Sequence, residues 1–188
     1  MVNRDTPILV ALDGGSGSGK STLALLLTEA VGAALVQSDD FFAANISESE
    51  WDARTTEARV DDCIDWRRLR AEALEPLLAG KPARWHTFDF EAGIQPDGRY
   101  AMRTDFVERV PAAVVVLDGL SSTRLELADL IDLAVLVDVP VAVRHARLAA
   151  REDGDFLDAW HVRWDGAEEY YLTHVRPRSA FDLILTPE

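Results

Sequence analysis

Residues 14–21 read Gly-Gly-Ser-Gly-Ser-Gly-Lys-Ser, and the residues just before them, 7–12, form the apolar run Pro-Ile-Leu-Val-Ala-Leu. The glycine-rich stretch matches the pattern G-x-x-x-x-G-K-[ST] at every fixed position. The apolar run predicts a buried strand, and residues 20–31 predict a helix that ends at Gly32. A strand, this loop and a helix in that order form the setting in which the motif binds phosphate through successive backbone N–H groups.

We therefore assign a nucleotide phosphate site to Gly14, Gly15, Ser16, Gly17, Ser18, Gly19, Lys20, Ser21 and Thr22. Lys20 is expected to contact the β- and γ-phosphates of ATP and to act in catalysis, and the Ser21 hydroxyl is expected to bind Mg²⁺. A dinucleotide fingerprint G-x-G-x-x-G would need its third glycine at position 20, where Lys20 stands. An NAD enzyme is therefore disfavoured.

Four further apolar runs predict buried strands, at residues 33–37, 112–117, 133–137 and 181–185. Apolar residues in them do not alternate with polar ones, so both faces of each strand should be covered, as in a parallel sheet between helices. Helices are predicted between the strands, at 65–78 and 141–151. The predicted fold class is α/β: a P-loop NTPase-type three-layer sandwich whose mainly parallel five-stranded sheet has helices on both faces.

Two faces of the predicted helices are expected to point into the core. In the first helix this face comprises Leu23, Leu26, Leu27, Ala30 and Val31, and near the end of the chain it comprises Phe156, Trp160, Trp164, Ala167 and Tyr171. Residues 41–62 and 81–110 lack a clear period. We interpret them as acceptor-binding insertions in a single domain that spans residues 1–188, because long irregular insertions often carry function.

The composition restricts the partners. A formal net charge of −14 argues against nucleic acid and an anionic membrane as partners. Cys63 is the only cysteine, so an internal disulfide is excluded. The longest apolar run is too short to span a membrane, and the one near the start is too short for a signal peptide. We expect a soluble cytoplasmic protein whose oligomeric state, including a homo-oligomer, is open.

Acidic residues follow two of the predicted strands. Asp118 follows four apolar residues, as in a Walker B strand, and is expected to hold Mg²⁺ together with Ser21. Asp39 and Asp40 follow the second strand. We favour Asp39 as the catalytic base that accepts the proton of an acceptor hydroxyl, kept ionised by Lys20 and Mg²⁺, with Asp40 second. The alternative for each acid is a turn or helix cap.

Arg144, Arg147 and Arg151 share one helix face through their spacing of three and four residues. Arginine donors stabilise the charge that develops on a phosphoryl group in transfer. The alternative is a solvated face paired with nearby acids.

Together these segments resemble the uridine kinase-like family of P-loop kinases, which includes uridine-cytidine kinases, phosphoribulokinases and bacterial pantothenate kinases. Residues 14–22 match its phosphate loop, residues 38–42 its Asp-x-Phe-Tyr segment, residues 117–119 its Leu-Glu-Gly, and the three arginines its lid helix. The resemblance implies that Asp39 is the acceptor base, that Arg147 acts in catalysis, that Arg151 binds the nucleotide and that Arg144 binds the acceptor.

The chain departs from the family where uridine-cytidine kinases contact the nucleoside. Gly93 stands in place of a histidine, and Phe42 stands in place of a tyrosine. We expect acceptor contacts from Phe42, Trp85, His86, Phe88 and Phe90, with His86 as a substitute for the missing histidine. A satellite core for the aromatic residues and a surface or packed role for His86 are the alternatives.

The leading hypothesis is therefore an ATP- and Mg²⁺-dependent kinase that phosphorylates a hydroxyl group of a small-molecule alcohol, a nucleoside being favoured. A sugar, a pantothenate-like compound or another alcohol is the alternative acceptor. A regulatory ATP-binding switch or ATPase is the alternative from another class. A guanine-specific GTPase is disfavoured, because the chain has no Asn-Lys-x-Asp segment.

Overall fold

The computed structural model describes residues 6–151 and 154–187, and within them all side chains except those of residues 154–157 and 159. Its strands are β1 (Ile8–Asp13), β2 (Ala34–Gln37), β3 (Ala83–Phe88), β4 (Met102–Arg109), β5 (Val114–Asp118), β6 (Leu133–Val137) and β7 (Leu183–Leu185). Its helices are α1 (Lys20–Val31), α2 (Glu48–Ala53), α3 (Thr56–Asp62), α4 (Trp66–Arg68), α5 (Glu75–Leu78), α6 (Val141–Ala149) and α7 (Gly154–Tyr170). π-helical turns at Leu69–Leu74 and Tyr171–Val175 continue α4 and α7.

Five strands form one parallel sheet in the order β2-β5-β1-β6-β7. The predicted parallel five-stranded sheet and α/β class are therefore confirmed. Leu12 pairs with Asp118 and Gln37 pairs with Asp118 from the other side, so the carboxyl ends of β1, β5 and β2 lie level. Ligands of open α/β sheets bind at this edge.

The sheet is covered on both faces, which explains the unbroken apolar runs. Leu9 and Ala11 of β1 pack on one face with Phe41, Trp51, Leu77 and Leu127, while Val10 and Leu12 pack on the other with Ala24 of α1. Successive residues of one strand thus enter different clusters, and both must be apolar. None of the described helices is both long and apolar enough to span a membrane.

The inward face of α1 differs from the predicted one. Ala24 is fully buried and Leu23 and Leu27 are partly buried, but Leu26 is 60% exposed and Val31 is 52% exposed. The inward face of α1 comprises residues 20, 23, 24 and 27. Lys20 belongs to this face because its side chain folds back onto the phosphate loop. Ala30 is exposed as well, and the prediction of Leu26, Ala30 and Val31 as core residues was wrong.

The two irregular stretches form compact elements beside the sheet. Residues 41–62 contain α2, which begins with a capping box between Ser47 and Glu50, and α3. Residues 81–110 contain the antiparallel hairpin β3–β4, whose register shifts between His86 and Phe88. This bulge turns both Trp85 and Phe88 inward, although three residues separate them.

Candidate functional site

The phosphate loop connects β1 to α1 and requires glycine for steric reasons. Gly17 has φ +78°, and a Cβ there would lie 2.6 Å from the Arg144 carbonyl oxygen of α6. The loop closes on itself where the Ser18 N–H donates to the Gly15 carbonyl at 3.2 Å. The residues assigned to phosphate binding thus form one bent segment at the N-terminus of α1, where backbone N–H groups and the helix dipole favour an anion.

Lys20 lies within the loop rather than in solvent. The residue is buried, and its ammonium Nζ donates to the Gly15 carbonyl at 3.1 Å. A buried cation whose hydrogen bond is to a neutral carbonyl keeps its charge available to an anion. This placement is consistent with the predicted contact between Lys20 and the phosphates.

Asp13, at the end of β1, supports the loop from below, and the sequence-based site did not include it. Its buried carboxylate accepts hydrogen bonds from Gly14 N at 2.8 Å, Thr123 Oγ1 at 2.6 Å and Tyr171 Oη at 2.7 Å. Burial and the Asp13 charge raise the pKa of Tyr171 well above its ordinary value. The signal in the sequence is an acid at the junction of strand and loop.

Asp118 and Ser21 lie together, as predicted. Burial raises the pKa of the Asp118 carboxyl, and the neighbouring Ser21 hydroxyl and Lys20 ammonium act to lower it. Asp118 Oδ1 is buried and has no hydrogen-bond partner among the described residues. A carboxylate oxygen without a partner beside a hydroxyl is the kind of donor set that Mg²⁺ prefers, so these residues fit the metal.

A close approach between β5 and the turn after β2 brings Asp118 near Asp39. Gly119 has φ +142°, and a Cβ there would overlap the Ser38 side chain, with Asp39 Oδ1 3.6 Å away. Glycine at 119 therefore lets the two carboxylates share the site. The Asp39 side chain opens to solvent, yet the protein around its carboxyl displaces water and raises its pKa, while Lys20 acts to lower it. Lys20 thus favours the ionised form of Asp39, as expected, but burial has the larger effect on this pKa.

Asp40 occupies a different position from its neighbour. Its Oδ2 accepts a hydrogen bond from the Trp85 indole Nε1 at 2.8 Å, which ties the turn after β2 to the hairpin β3–β4. Desolvation raises the pKa of Asp40, and the bond from Trp85 acts to lower it. The geometry therefore separates the two acids into one that faces the cleft and one that anchors the hairpin.

The arginines of α6 have unequal surroundings. Arg144 is buried, and its Nη1 donates to the Ser16 carbonyl and to Glu168 Oε2, both at 2.9 Å. Arg147 is exposed, and its Nη1 lies 3.3 Å from the Ser18 carbonyl. Arg151 is exposed, and its charge acts to lower the pKa of Asp39. Arg144, assigned to the acceptor from the resemblance, therefore braces the loop.

Glu168 of α7 is a second functional candidate that the sequence did not show. Its buried carboxylate accepts the Ser16 N–H at 3.0 Å and the Ser16 hydroxyl, besides the bond from Arg144. Its charge also raises the pKa of Asp39. No motif links residue 168 to residue 16, so only the packing of α7 on the loop brings them together.

A small cleft of about 140 Å³ opens beside Asp39. It is lined by Ser16, Asp39, Phe42, Cys63, Ile64, Phe90, Leu120, Trp160, Trp164 and Glu168. Two carboxylates and four aromatic rings thus face one space.

The helix face predicted to point into the core does so only in part. Ala167 and Tyr171 are buried, whereas Trp160 and Trp164 are half-buried and line the cleft. The Phe156 side chain lies outside the described residues.

The predicted acceptor residues separate into two groups. Phe42 and Phe90 line the cleft, and Phe88 lies behind them, 5.1 Å from the Phe42 ring. Trp85 is 1% exposed and packs on Phe41 in the core, which leaves it no surface for stacking on a ligand. His86 faces the other side of the hairpin, where its ring lies 4.0 Å from that of Phe106, and it does not line the cleft. The structure thus gives Trp85 and His86 no acceptor contact.

A second cleft, of about 630 Å³, lies on the other side of the loop. Ser18, Gly19, Thr22 and Arg147 line it, together with Leu26 and the end of the chain at Leu185–Pro187. The exposed Leu26 thus has an apolar environment here. The two clefts share no lining residue.

Comparison with known proteins agrees with this geometry. The model of the phosphoribulokinase / uridine kinase family matches residues 9–155. A uridine kinase from Deinococcus deserti is 30% identical over 181 residues, which cover 94% of this chain and 82% of the relative. A uridine kinase from Halobacterium salinarum is 28% identical over 173 residues, covering 89% and 71%.

Solved structures share the fold at low sequence identity. A structure described as "a possible uridine kinase" from Bacillus stearothermophilus superposes with a TM-score of 0.69 at 18% identity, covering 98% of this chain and 91% of the other. D-glycerate 3-kinase from Cryptococcus neoformans superposes with a TM-score of 0.59 at 16% identity, covering 89% and 80%. The family model matches most of the chain, and the uridine kinase from Deinococcus deserti is 30% identical over 94% of it. The chain therefore belongs to the phosphoribulokinase/uridine kinase family and is an ATP-dependent phosphotransferase with an alcohol group as acceptor.

Proposed function

We propose that the chain phosphorylates a neutral, polyhydroxylated acceptor, with a nucleoside as first choice and a free sugar as second. The observation that carries this proposal is the cleft at Asp39, where the carboxylates of Asp39 and Glu168 face aromatic rings. Carboxylates accept hydrogen bonds from hydroxyl groups, and aromatic rings cover the flat or apolar faces of a nucleoside or sugar. The relatives named uridine kinase support the nucleoside.

The charge of the cleft disfavours an anionic acceptor. Its described lining contains two acids and no lysine or arginine. A carboxylate-bearing alcohol, such as a pantothenate-like compound, would place a further negative charge beside Asp39 and Glu168. The nearest cation to Glu168, Arg144, is already paired with that carboxylate and does not line the cleft. Since a glycerate kinase has the same fold, the fold alone does not select the acceptor.

The reaction that we propose forms a bond between the acceptor oxygen and the γ-phosphorus of ATP and breaks the bond from that phosphorus to the β–γ bridging oxygen. Asp39 takes the proton of the acceptor hydroxyl, and ADP leaves. Lys20 and Arg147 stabilise the charge on the transferred group. Ser21 and Asp118 would hold Mg²⁺, which neutralises phosphate charge when bound.

The two insertions take part in this proposal as acceptor-binding segments. Phe42 comes from residues 41–62 and Phe90 from residues 81–110, and both line the cleft. The hydrogen bond from Trp85 to Asp40 joins the second insertion to the turn that immediately precedes the first. Acceptor preference should therefore depend on these segments and not on the loop.

The test measures ADP formation with ATP, Mg²⁺ and a panel of acceptors. Uridine, cytidine, ribose and fructose are the neutral members, and glycerate and pantothenate are the anionic controls. We expect ADP formation that depends on a neutral acceptor. ADP formation independent of any acceptor would favour the regulatory ATPase, and a preference for glycerate or pantothenate would contradict the charge argument.

A further inference from the structure

Three side chains with metal-binding atoms meet between α6 and α7, away from the cleft at Asp39. The His145 Nε2 of α6 lies 3.4 Å from Asp165 Oδ2, and the His161 Nδ1 of α7 lies 2.9 Å from Asp165 Oδ1. The two imidazole centroids are 4.2 Å apart. One donor atom of each residue lies within 4.8 Å of the others.

The placement follows from helix geometry. His161 and Asp165 are four residues apart on α7, so they share a face, and α6 presents His145 to that face. Two of the four histidines of the chain thus converge on one carboxylate. In the described part of the chain, no other group of three such side chains lies this close together.

Two imidazole nitrogens and one carboxylate thus face one another between the two helices. A divalent cation accepts lone pairs from two neutral imidazoles and from a carboxylate at the same time. The cation thereby satisfies all three groups that face one another.

We propose that His145, His161 and Asp165 form a binding site for a transition-metal ion of the Zn²⁺ class. Two nitrogen donors and one carboxylate suit zinc, whereas Mg²⁺ prefers oxygen ligands. In tetrahedral zinc with ligand distances near ~2.1 Å, donor atoms lie roughly 3.4 Å apart. The separations of 2.9 and 3.4 Å join the two imidazole nitrogens to different oxygens of Asp165, and one donor atom of each residue lies within 4.8 Å of the others, so the side chains must draw together around the ion.

The remaining coordination position has room for water. A cleft of about 460 Å³ adjoins the cluster, and both His145 and Asp165 line it, as do Gly15 and Arg144. A site with three protein ligands and one open position is the form in which zinc remains exchangeable. The proposed site is distinct from the Mg²⁺ site at Ser21 and Asp118, because its donors differ.

A metal ion here would connect the two helices that brace the phosphate loop. α6 carries Arg144, which donates to the Ser16 carbonyl, and α7 carries Glu168, which accepts the Ser16 N–H. His145 and Asp165 lie one and three residues from these braces along their helices. Bound zinc would therefore fix the two braces relative to each other.

The experiment is a calorimetric titration of the full chain with Zn²⁺ after dialysis against a chelator, with Mg²⁺ present in excess. The parent should bind one Zn²⁺ per chain. His145→Gln and His161→Gln should each weaken the affinity at least about tenfold, since each removes one ligand of three. His86→Gln and His174→Gln, which alter the two histidines outside the cluster, are the matched controls and should bind as the parent does.

Two further measurements distinguish the loss of a metal ligand from the loss of folding. Thermal unfolding in chelator checks that every variant folds, and Zn²⁺ should then raise the melting temperature of the parent and of the controls more than that of the cluster variants. Co²⁺ should give the visible absorption of a low-coordinate site only where the cluster is intact. The proposal is overturned if the folded parent binds no Zn²⁺, if the cluster variants bind as tightly as the parent, or if the control variants lose as much affinity.

Discussion

The two ends of the candidate site are built in different ways. At the phosphate end, the groups expected to contact phosphate and metal come from one continuous stretch, residues 14–21, with Asp118 of the neighbouring strand, and distant residues only brace that stretch. The acceptor cleft takes its lining from six separate parts of the chain, at residues 16, 39–42, 63–64, 90, 120 and 160–168. The phosphate end has a fixed chemistry that a motif encodes, whereas the cleft depends on how distant elements pack.

This difference has a functional consequence. Members of a kinase family share ATP and differ in acceptor, so the variable part of the site is the part assembled from insertions and helix faces. Damage to the phosphate end should therefore abolish the reaction with any acceptor. Changes in the cleft should alter which acceptor is used and how tightly it binds.

The largest effect is expected for Lys20→Ala. Loss of the ammonium removes an electrostatic stabiliser of the transferred phosphoryl group, which costs roughly 3 kcal/mol or more in the activation free energy. Steady-state ADP formation measures it, with the thermal transition as a check on folding. The exposed Lys81 offers the matched control Lys81→Ala, which should keep the activity of the parent; activity of Lys20→Ala within a few-fold of the parent would exclude the mechanism.

Asp39→Asn should follow in size. The amide keeps the shape but cannot accept a proton, so acceptor-dependent turnover should fall by roughly 10²-fold while ATP affinity is retained. Asp40→Asn should lose much less, since Asp40 bonds Trp85 instead of facing the cleft. Nucleotide titration and turnover of both variants give the comparison. Equal losses would mean that the two acids act as one structural element.

Asp118→Asn tests the metal. We expect the Mg²⁺ concentration at half-maximal activity to rise roughly tenfold, because a charged ligand becomes neutral, with a smaller change in the requirement for ATP. Activity titrations with Mg²⁺ at saturating ATP measure this shift. Superimposable curves for variant and parent would reduce Asp118 to a structural residue.

Trp85→Phe and Phe90→Ala form a pair that separates packing from binding. Trp85→Phe removes the hydrogen bond to Asp40 and should lower the free energy of unfolding by about 1 kcal/mol, with the acceptor KM unchanged. Phe90 is 66% exposed at the cleft, so Phe90→Ala should raise the acceptor KM and leave stability nearly unchanged. Chemical denaturation and acceptor titration measure the two effects; the reverse pattern would return Trp85 to the binding site.

The smallest effect concerns pH. The pKa of Asp39 is raised by desolvation, and the charge of Arg151 acts against that rise. Arg151→Gln should therefore raise this pKa further, so the acid limb of the kcat/KM profile should move to higher pH, because the base must be ionised. Arg151→Lys keeps the charge and is the control. An acid limb that moves to lower pH, or stays in place, would contradict this role.

The sequence predicted the parts of the molecule that short-range patterns determine. The loop at 14–21, the strand ending in Asp118 and the five apolar runs each have a local signature, and the parallel sheet follows from them. The sequence did not predict that Leu26 is exposed or that Trp85 is buried, because each depends on a neighbour outside its own element. The bulge between His86 and Phe88 likewise leaves no signal in the sequence, and it decides which side of the hairpin each of these residues faces.

Asp13 and Glu168 illustrate the limit in physical terms. The partners of Asp13 include residues 108 to 158 positions away, and Glu168 lies 152 positions from Ser16. Long-range pairs of single polar residues leave no period or spacing in a sequence. Only the packed structure shows that they complete the loop.

The hydrogen bonds of Asp13 also bear on how the chain is made. Tyr171, whose hydroxyl donates to Asp13, is made 158 residues after it. Contacts of such long range slow folding, because a large loop must close before they stabilise the product. A nascent chain that ends before residue 171 carries the phosphate motif without this hydrogen bond. We infer that the phosphate site becomes fully ordered only after residue 171 has been made.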